Sequence, residues 1–329
     1  MAAGVGWLGL VWRPFGLSLP QVLSTARGPI AGKRGWLLRL HSPEGLVGWG
    51  EAAPLDGQLE PLAAAIAGLG PQCSRPQLEG ALAAGTLPPS LGFALGAALA
   101  ELDGLLQGRW LPPPPSARLL PAGPAALERL ALERLALTRG ELPVFKWKVA
   151  VHPDGLERSV LEQLLQLLPP DGRLRLDANG GWQPATAWAW AERLAGEPRL
   201  EWLEQPLGPA DLAGLEALAT RVPVALDESL QQQPWLRQSW SGWQVRRPSQ
   251  EGDPRPLLAA LEQGAPRLML STAFETGIGR RWLHHLAALQ AQGPTPVAPG
   301  LASGWQPQGD LAAPDPARVW QAAGGGGVR

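Results

Sequence analysis

The chain has 329 residues, of which 45% are apolar and 17% are charged, and its formal net charge is −1. This length and apolar fraction predict a globular protein with a substantial core, built as one large domain or two of ordinary size. The near-neutral charge offers no basic surface for nucleic acid, and no apolar run approaches the roughly 20 residues that span a bilayer. We therefore expect a cytoplasmic protein without a nucleic-acid or membrane partner.

The apolar N-terminal segment, residues 1–20, raises the question of a signal peptide. It lacks a basic leading region, and Arg13 and Pro14 interrupt it, so we predict a first β-strand instead. The only cysteine, Cys73, cannot form an internal disulfide, and we expect it to be a buried core thiol.

Residues 1–110 predict an α+β domain. Apolar and alternating runs at 35–40 and 45–55 indicate strands, and the Ala/Leu-rich stretch at 62–106 indicates helices. The stiff proline run at 111–115 marks the end of this domain.

Residues 111–305 alternate short apolar runs with amphipathic stretches. Eight predicted strands lie within residues 116–123, 142–150, 172–180, 200–207, 222–229, 242–249, 266–275 and 295–300. Such alternation implies parallel βαβ units, and eight of them in about 190 residues fit a TIM-type barrel better than an open sheet. We expect the sixth and seventh helices to be short. The tail, 306–329, is expected either to pack back on the first domain or to be disordered, with a glycine run at its end.

Lysine is rare in this chain. Lys33, Lys146 and Lys148 are the only lysines, whereas arginine occurs throughout. An ammonium group can be tuned to lose its proton, but a guanidinium cannot. The retained lysines therefore indicate acid/base chemistry, and two of them are separated by a single residue.

Polar residues of the second to fifth predicted strands fall at the C-terminal strand ends, where barrel enzymes carry their catalytic groups. They are Lys146, Lys148, Asp177, Asn179, Glu204, Asp227 and Glu228. Neighbouring strands would bring the carboxylates of Asp177, Glu204 and Asp227 together, and their repulsion calls for a cation. Three oxygen ligands predict an open, octahedral Mg²⁺ site, with Mn²⁺ as the alternative, which leaves positions for water and a substrate carboxylate.

The lysine pair should face this metal. Residues two apart on a strand share a face, so Lys146 and Lys148 point inward and Trp147 points to the helices. Each cation disfavours the other's charge, so one lysine can be neutral near pH 7 and act as a base. A lone strand-end acid is as often a helix cap or a surface ion pair. The joint placement of these groups on four consecutive strands indicates metal-assisted proton abstraction beside a carboxylate.

Four motifs resemble the enolase superfamily of the muconate-lactonising type: KWK at 146–148, DAN at 177–179, EQP at 204–206 and DES at 227–229. The resemblance implies a modified TIM barrel, (β/α)7β, covered by an N-terminal α+β capping domain. Segments similar to that capping domain lie at 25–28, 33–36 and 48–55.

Within the superfamily the chain is similar to the o-succinylbenzoate synthase family, on the segments 175–182, 271–276 and 298–300. This resemblance implies dehydration of 2-succinyl-6-hydroxy-2,4-cyclohexadiene-1-carboxylate, a step in menaquinone and phylloquinone biosynthesis. The three carboxylates would hold Mg²⁺ against the substrate carboxylate and its enediolate form. Lys148 would remove the α-proton and return it to the departing hydroxide, while Lys146 orients Lys148 and lowers its pKa.

The chain departs from the superfamily pattern at one position, where Arg247 precedes Pro248 in place of a second lysine. Arginine is a poor base, so racemases and epimerases, which need a base on each face, are disfavoured. A one-base dehydration tolerates the change, because the arginine cation can face the developing aromatic ring. The general replacement of lysine by arginine explains Arg247 equally well. Arg246 should point the other way.

The expected partner is a small-molecule carboxylate, and the sequence does not indicate an oligomeric state. Further substrate contacts are expected from Asn179, Ser271, Thr272, Gly300 and Arg27. Three alternatives stay open: an N-succinylamino-acid racemase or dipeptide epimerase, a non-catalytic ligand-binding barrel, and an acid-sugar dehydratase. The last commonly carries a His/Asp pair on the later strands, and no histidine ends strand seven here.

Overall fold

The computed structural model describes residues 6–26, 28–135 and 143–324. Its N-terminal part is a four-stranded antiparallel sheet in the order β3-β2-β1-β4. The strands are β1 (Trp7–Thr25), β2 (Gly28–His41), β3 (Val47–Ala52) and β4 (Gln72–Ser74). The helices that accompany them are α1 (Leu59–Leu69), α2 (Arg75–Ala84) and α3 (Pro89–Leu102). The predicted first strand is therefore present as β1.

This sheet is buried on both faces, because β2 presents apolar side chains to each. Leu38 and Leu40 pack against α3, whereas Leu37 packs with Ile278 and Trp320 from the far end of the chain. Cys73 on β4 is buried in the same core as Leu38 and Leu40, and burial raises the pKa of its thiol.

Two glycines let α3 approach β3 closely. A Cβ atom on Gly48 would lie 2.0 Å from the carbonyl oxygen of Ala98, and one on Gly50 would lie 2.2 Å from that of Ala94. Only a residue without a side chain fits at either position.

The second sheet is a curled, parallel seven-stranded sheet whose strands are neighbours in chain order. They are β5 (Arg118–Leu120), β6 (Val144–Lys148), β7 (Arg173–Asp177), β8 (Leu200–Glu204), β9 (Val224–Leu226), β10 (Trp243–Arg246) and β11 (Leu268–Leu270). Outside them lie α4 (Ala125–Leu135), α5 (Asp154–Leu167), α6 (Pro184–Leu194), α7 (Leu212–Ala219), α8 (Glu228–Gln232), α9 (Leu236–Ser239), α10 (Arg255–Glu262) and α11 (Gly277–Ala291). Together with the antiparallel part, this is a modified TIM barrel with an N-terminal capping domain.

The eighth predicted strand is reduced to a single bridge. Gly300 pairs with Ser271 in parallel, and the N–H of Ala117 donates to the carbonyl of Pro299 at 2.9 Å. These contacts tie the two ends of the sheet together. Pro296 and Pro299 carry no N–H to donate, so the segment cannot form a regular ladder.

The predicted helix lengths are only partly right. The sixth barrel helix, α10, is short, but the seventh, α11, has 15 residues, so the prediction of a short seventh helix was wrong. The shortest barrel helices are α8 and α9, which follow the fifth barrel strand. α11 is long because Thr276 caps it, accepting from the N–H of Ile278, and because Trp282 and Leu286 anchor its buried face.

The barrel core lies between the sheet and its helices. Trp147 is fully buried there, with its ring centroid 6.4 Å from that of Trp190 on α6, so it points to the helices as predicted. In the tail, α12 (Pro316–Ala322) packs Val319 and Trp320 against the antiparallel sheet. The final residues of the glycine run lie outside the described residues. None of the helices in the described ranges is long and apolar enough to cross a membrane.

Candidate active site

Adjacent strand ends place the lysine pair among the predicted metal ligands. Lys148, Asp177 and Glu204 are register partners on β6, β7 and β8. The Nζ atom of Lys146 lies 2.7 Å from Oδ2 of Asp177 and 2.6 Å from Oε1 of Glu204. The Nζ atom of Lys148 lies 2.6 Å from the same Asp177 oxygen. All four side chains are buried at the barrel mouth.

Asp227, the third predicted ligand, follows β9 and pairs with Arg247. The guanidinium holds both carboxylate oxygens, with Nε 2.8 Å from Oδ1 and Nη2 2.5 Å from Oδ2. Its Nη1 donates to the carbonyl of Thr272 at 2.6 Å. Arg246 turns away and pairs with Glu251, as the alternation along β10 predicts.

The ion pairs fix the charge of Lys146. Burial opposes an ammonium, but Asp177 and Glu204 outweigh it and raise the pKa of Lys146 above its usual value. Burial likewise opposes ionisation of Asp177, yet Lys146 and Lys148 hold the pKa of its carboxyl below the usual range. Lys146 is therefore a cation in this arrangement, contrary to the mutual lowering that two neighbouring lysines predict.

Two other buried acids, Glu204 and Glu228, have a raised pKa. Burial and the nearby Asp177 raise the pKa of Glu204 to about 7. Burial and the adjacent Asp227 raise the pKa of Glu228 to about 7 as well. This region thus holds more carboxylates than its cations fully compensate, which favours an additional cation.

The donor set fits a hard divalent metal ion. Three carboxylates end three neighbouring strands, and the buried Oε2 of Glu204 has no hydrogen-bond partner within the part of the chain that the structure describes. Within those residues, however, no three aspartate, glutamate, histidine or cysteine side chains are arranged so that they could hold a metal ion without rearrangement. The reason lies in the ion pairs, since Lys146 separates Asp177 from Glu204 and Arg247 holds Asp227.

Asn179 links Lys148 to Glu228, the first residue of α8. Its Oδ1 accepts from Nζ of Lys148 at 2.9 Å, and its Nδ2 donates to Oε1 of Glu228 at 3.0 Å. The expected contact of Asn179 with substrate stays a prediction, and the hydrogen bond seen here orients the Nζ atom of Lys148.

Gln205 is a supporting residue to which the sequence assigned no role. Its fully buried Oε1 accepts from the backbone N–H groups of Asp227, at 3.1 Å, and Ser229, at 3.0 Å. Its Nε2 donates to the hydroxyl of Ser229 and the carbonyl of Leu207. The signal available in the sequence was its position directly after a strand-end acid.

Backbone strain concentrates around this mouth. Of the six non-glycine residues with positive φ in the described part of the chain, five lie within four residues after a barrel strand or the closing bridge: Ala150, Asn179, Gln205, Phe274 and Ala302. Such conformations persist only where surrounding contacts enforce them, and they cluster at functional sites.

A cavity of about 40 Å³ opens beside the lysines. Its polar lining consists of Lys146, Lys148, Arg247, Ser271, Thr272 and Gly300. The predicted strand-seven and strand-eight residues therefore lie with the lysine pair. An apolar wall that the sequence did not indicate is formed by Leu23, Ala117, Leu119, Phe274 and Ala302. Arg27, the remaining predicted contact, lies outside the described residues.

Comparisons with known proteins identify the family of this chain. The family described as enolase C-terminal domain-like matches residues 128–240. The o-succinylbenzoate synthase of Thermosynechococcus vestitus is 39% identical over 292 residues, which are 84% of this chain and 87% of that protein. The enzyme of Pectobacterium atrosepticum is 32% identical and covers 77% of this chain and 78% of its own length. This chain belongs to the o-succinylbenzoate synthase family of the enolase superfamily.

Solved structures share this fold over most of the chain. The o-succinylbenzoate synthase of Thermosynechococcus elongatus BP-1, complexed with magnesium in its active site, aligns with a TM-score of 0.78 and 32% identity. The alignment covers 95% of this chain and 99% of that one. A dipeptide epimerase from Enterococcus faecalis aligns with a TM-score of 0.73 at 20% identity over 92% of each chain, which shows the shared fold alone.

Proposed function

We propose that this protein is an o-succinylbenzoate synthase, a carbon–oxygen lyase that dehydrates 2-succinyl-6-hydroxy-2,4-cyclohexadiene-1-carboxylate in menaquinone or phylloquinone biosynthesis. The observation that carries the proposal is the lysine pair, which is ion-paired with the strand-end carboxylates of Asp177 and Glu204 beside the cavity, with Asp227 on the neighbouring strand end. The family membership of the chain supports the same reaction. Its site of action would be the cytoplasm.

We assign Asp177, Glu204 and Asp227 as the ligands of a Mg²⁺ ion, with Mn²⁺ as the alternative. The buried, unpartnered Oε2 of Glu204 within the described residues supports this assignment, as does the magnesium bound in the active site of the Thermosynechococcus enzyme. When bound, the ion would act as a Lewis acid on the substrate carboxylate and favour negative charge there.

Lys146 and Lys148 have different roles in the proposed proton transfer. Lys146 is held as a cation between Asp177 and Glu204, whereas Lys148 contacts one of these carboxylates, Asp177, and the side-chain oxygen of Asn179. Lys148 would therefore be the base that removes the α-proton, with Asn179 orienting its Nζ. The ammonium formed would then protonate the departing hydroxide, so water leaves from the same face and the ring becomes aromatic.

Arg247 favours this one-base dehydration over reactions that need two bases. Its guanidinium is tied to both oxygens of Asp227 and to the carbonyl of Thr272, and arginine does not release a proton at physiological pH. A racemase or epimerase needs a second proton donor and acceptor across the site. A cation serves the dehydration through its charge alone. The retained lysines speak against a non-catalytic barrel, because binding alone would tolerate arginine.

The proposed function is tested by mixing the purified protein with Mg²⁺ and the cyclohexadiene carboxylate and following the aromatic product by absorbance. We expect turnover that EDTA abolishes and added Mg²⁺ restores. Folded protein without turnover would remove the assignment. A parallel incubation of N-succinylamino acids in D₂O should not exchange the α-proton of both enantiomers, and exchange of both would favour the racemase.

A further inference from the structure

A second group of buried charges lies away from the lysine pair, between the antiparallel sheet and α11. It consists of Lys33, Glu51, Glu275 and Thr276, which we call the bridging cluster. All four residues are at most 5% exposed. Lys33 and Glu51 belong to the capping domain, and Glu275 and Thr276 belong to the loop that follows the seventh barrel strand.

Glu51 connects the two parts of the chain. Its Oε2 accepts from the N–H of Thr276 at 2.8 Å, from the Thr276 hydroxyl at 2.6 Å and from the N–H of Gly279 at 3.2 Å. Its Oε1 lies 3.2 Å from Nζ of Lys33. A carboxylate from the capping domain thus sits on the positive end of a barrel helix, where it is strongly favoured.

Glu275 continues the connection to the active site. Its carboxylate accepts from Oγ1 of Thr272 at 2.7 Å, from Oγ of Ser249 at 2.6 Å and from the N–H of Ala273 at 2.9 Å. Burial opposes its ionisation, but the charge of Lys33 helps to hold the pKa of this carboxyl below its usual value. Thr272 lines the cavity, and its carbonyl accepts from Arg247.

Lys33 is the one lysine that the proposed reaction does not use, in a chain that places arginine almost everywhere else. Its side chain is 2% exposed, and that of Glu51 is fully buried. A compact ammonium fits such a site, whereas a planar guanidinium brings a larger group and five donors to satisfy.

We propose that Lys33 and Glu51 are positioning residues, which hold loop 271–276 so that Thr272 and Arg247 keep their places in the active site. The docking of the capping domain then sets the geometry of one wall of the cavity. The kinetic part of this inference rests on the proposed function, and the structural part does not.

The test compares Lys33→Met with Arg34→Met. Arg34 is the next residue on β2, is exposed, and serves as the matched control for the loss of a positive charge. In Lys33→Met we expect kcat to fall at least tenfold with KM changed less than threefold, and the Mg²⁺ affinity to stay within twofold. Hydrogen exchange measured by mass spectrometry should become at least fivefold faster across residues 272–279. Arg34→Met should match the wild type in all of these.

Glu51→Gln keeps the shape of the site and provides a second variant should Lys33→Met fail to fold. A variant that is less heat-stable but retains wild-type kcat and wild-type exchange at 272–279 would overturn the inference, because it would show a purely structural role. If the wild type shows no turnover, the proposed function fails by itself. The exchange measurement still decides whether Lys33 and Glu51 hold the loop.

Discussion

The charged side chains at the barrel mouth include one more acid than cations. The side chains in direct ionic contact are Lys146, Lys148, Arg247, Asp177, Glu204 and Asp227. Three cations thus face three carboxylates, and Glu228 adds a fourth acid whose pKa is raised to about 7. A divalent ion would make the net charge of this group positive, and the negative charge of a substrate carboxylate would neutralise that excess. Metal and substrate should therefore favour each other's binding.

Arg247 has two opposing effects that one substitution separates. Its guanidinium pairs with Asp227 and would compete with a metal ion for that proposed ligand, while the Arg247 side chain lines the cavity. We expect Arg247→Met to bind Mg²⁺ severalfold more tightly and yet to lose about tenfold or more in kcat. Isothermal titration and steady-state kinetics measure the two effects.

Arg246→Met is the matched control for this substitution, because Arg246 carries the same charge on the opposite face of β10 and contacts Glu251. It should leave Mg²⁺ affinity and kcat near those of the wild type. Weaker Mg²⁺ binding in Arg247→Met would show that the guanidinium supports the metal site rather than competing for it.

Individual residues of the site could be predicted when their role follows from strand alternation. Lys148, Asp177 and Glu204 fall at strand ends in the sequence and are neighbours in the sheet. The charge of Lys146 could not be predicted, because it depends on which carboxylate oxygens lie within hydrogen-bond distance. The role of Gln205 could not be predicted for the same reason, since its partners are backbone N–H groups that come just after the next strand.

At the scale of secondary structure, Gln205 joins the end of β8 to the turn after β9. In Gln205→Leu the N–H groups of Asp227 and Ser229 lose their buried acceptor, which should lower the free energy of unfolding by about 2–4 kcal/mol. Loss of this support for a ligand should also weaken Mg²⁺ binding by about tenfold.

Urea unfolding and Mg²⁺ titration measure these changes in Gln205→Leu. The exposed Gln163→Leu on α5 serves as the control and should stay within about 0.5 kcal/mol of the wild type. Equal stability of the two variants would contradict the role given to Gln205.

α11 contributes a pH dependence to stability through His284. Burial and the charge of Arg280 lower the pKa of His284 to about 4, from 6.5. A histidine with a lowered folded pKa stabilises the fold above pH 6.5, and this contribution is lost as the pH falls towards 4. In His284→Gln the decline in unfolding free energy between pH 6.5 and 4 should be shallower than in the wild type. Urea titrations at several pH values check this, and an identical slope would contradict it.

Elements with strong periodicity could be predicted, and those shaped by the closure of the barrel could not. The first seven barrel strands are present where apolar runs occur. The eighth is a single bridge, because its pairing is limited by Pro296 and Pro299 and by the two strands that it must contact at once. The length of α11 depends on a cap from Thr276 that was not considered in the prediction.

On the scale of the whole molecule, the capping domain depends on close backbone contact between β3 and α3. A methyl group at Gly50 would lie 2.2 Å from the Ala94 carbonyl oxygen, so Gly50→Ala must push strand and helix apart. We expect the free energy of unfolding to fall by about 1–3 kcal/mol.

Gly68→Ala is the control, because Gly68 lies in α1 and a Cβ atom added there would meet no atom within 4 Å. This substitution should be neutral or stabilising by up to about 1 kcal/mol. Thermal or urea unfolding of both variants checks this, and a neutral Gly50→Ala would contradict the packing argument.

The two-part architecture could be predicted from the change in pattern along the chain, but the contacts between the parts could not. The bridging cluster joins residues more than 200 positions apart, such as Glu51 and Thr276. No local periodicity reports such a pair, since it forms only when the sheet is docked on the barrel.

The central claim is that Lys148 works as the single base of a metal-assisted dehydration. The most direct measurement is the turnover of the cyclohexadiene carboxylate by Lys148→Ala beside the wild type, with Mg²⁺ affinity determined for both. We predict that kcat falls by about 10²–10⁴-fold, the contribution of a general base, while Mg²⁺ affinity stays within about threefold. A folded Lys148→Ala protein that turns over within threefold of the wild type would contradict the claim.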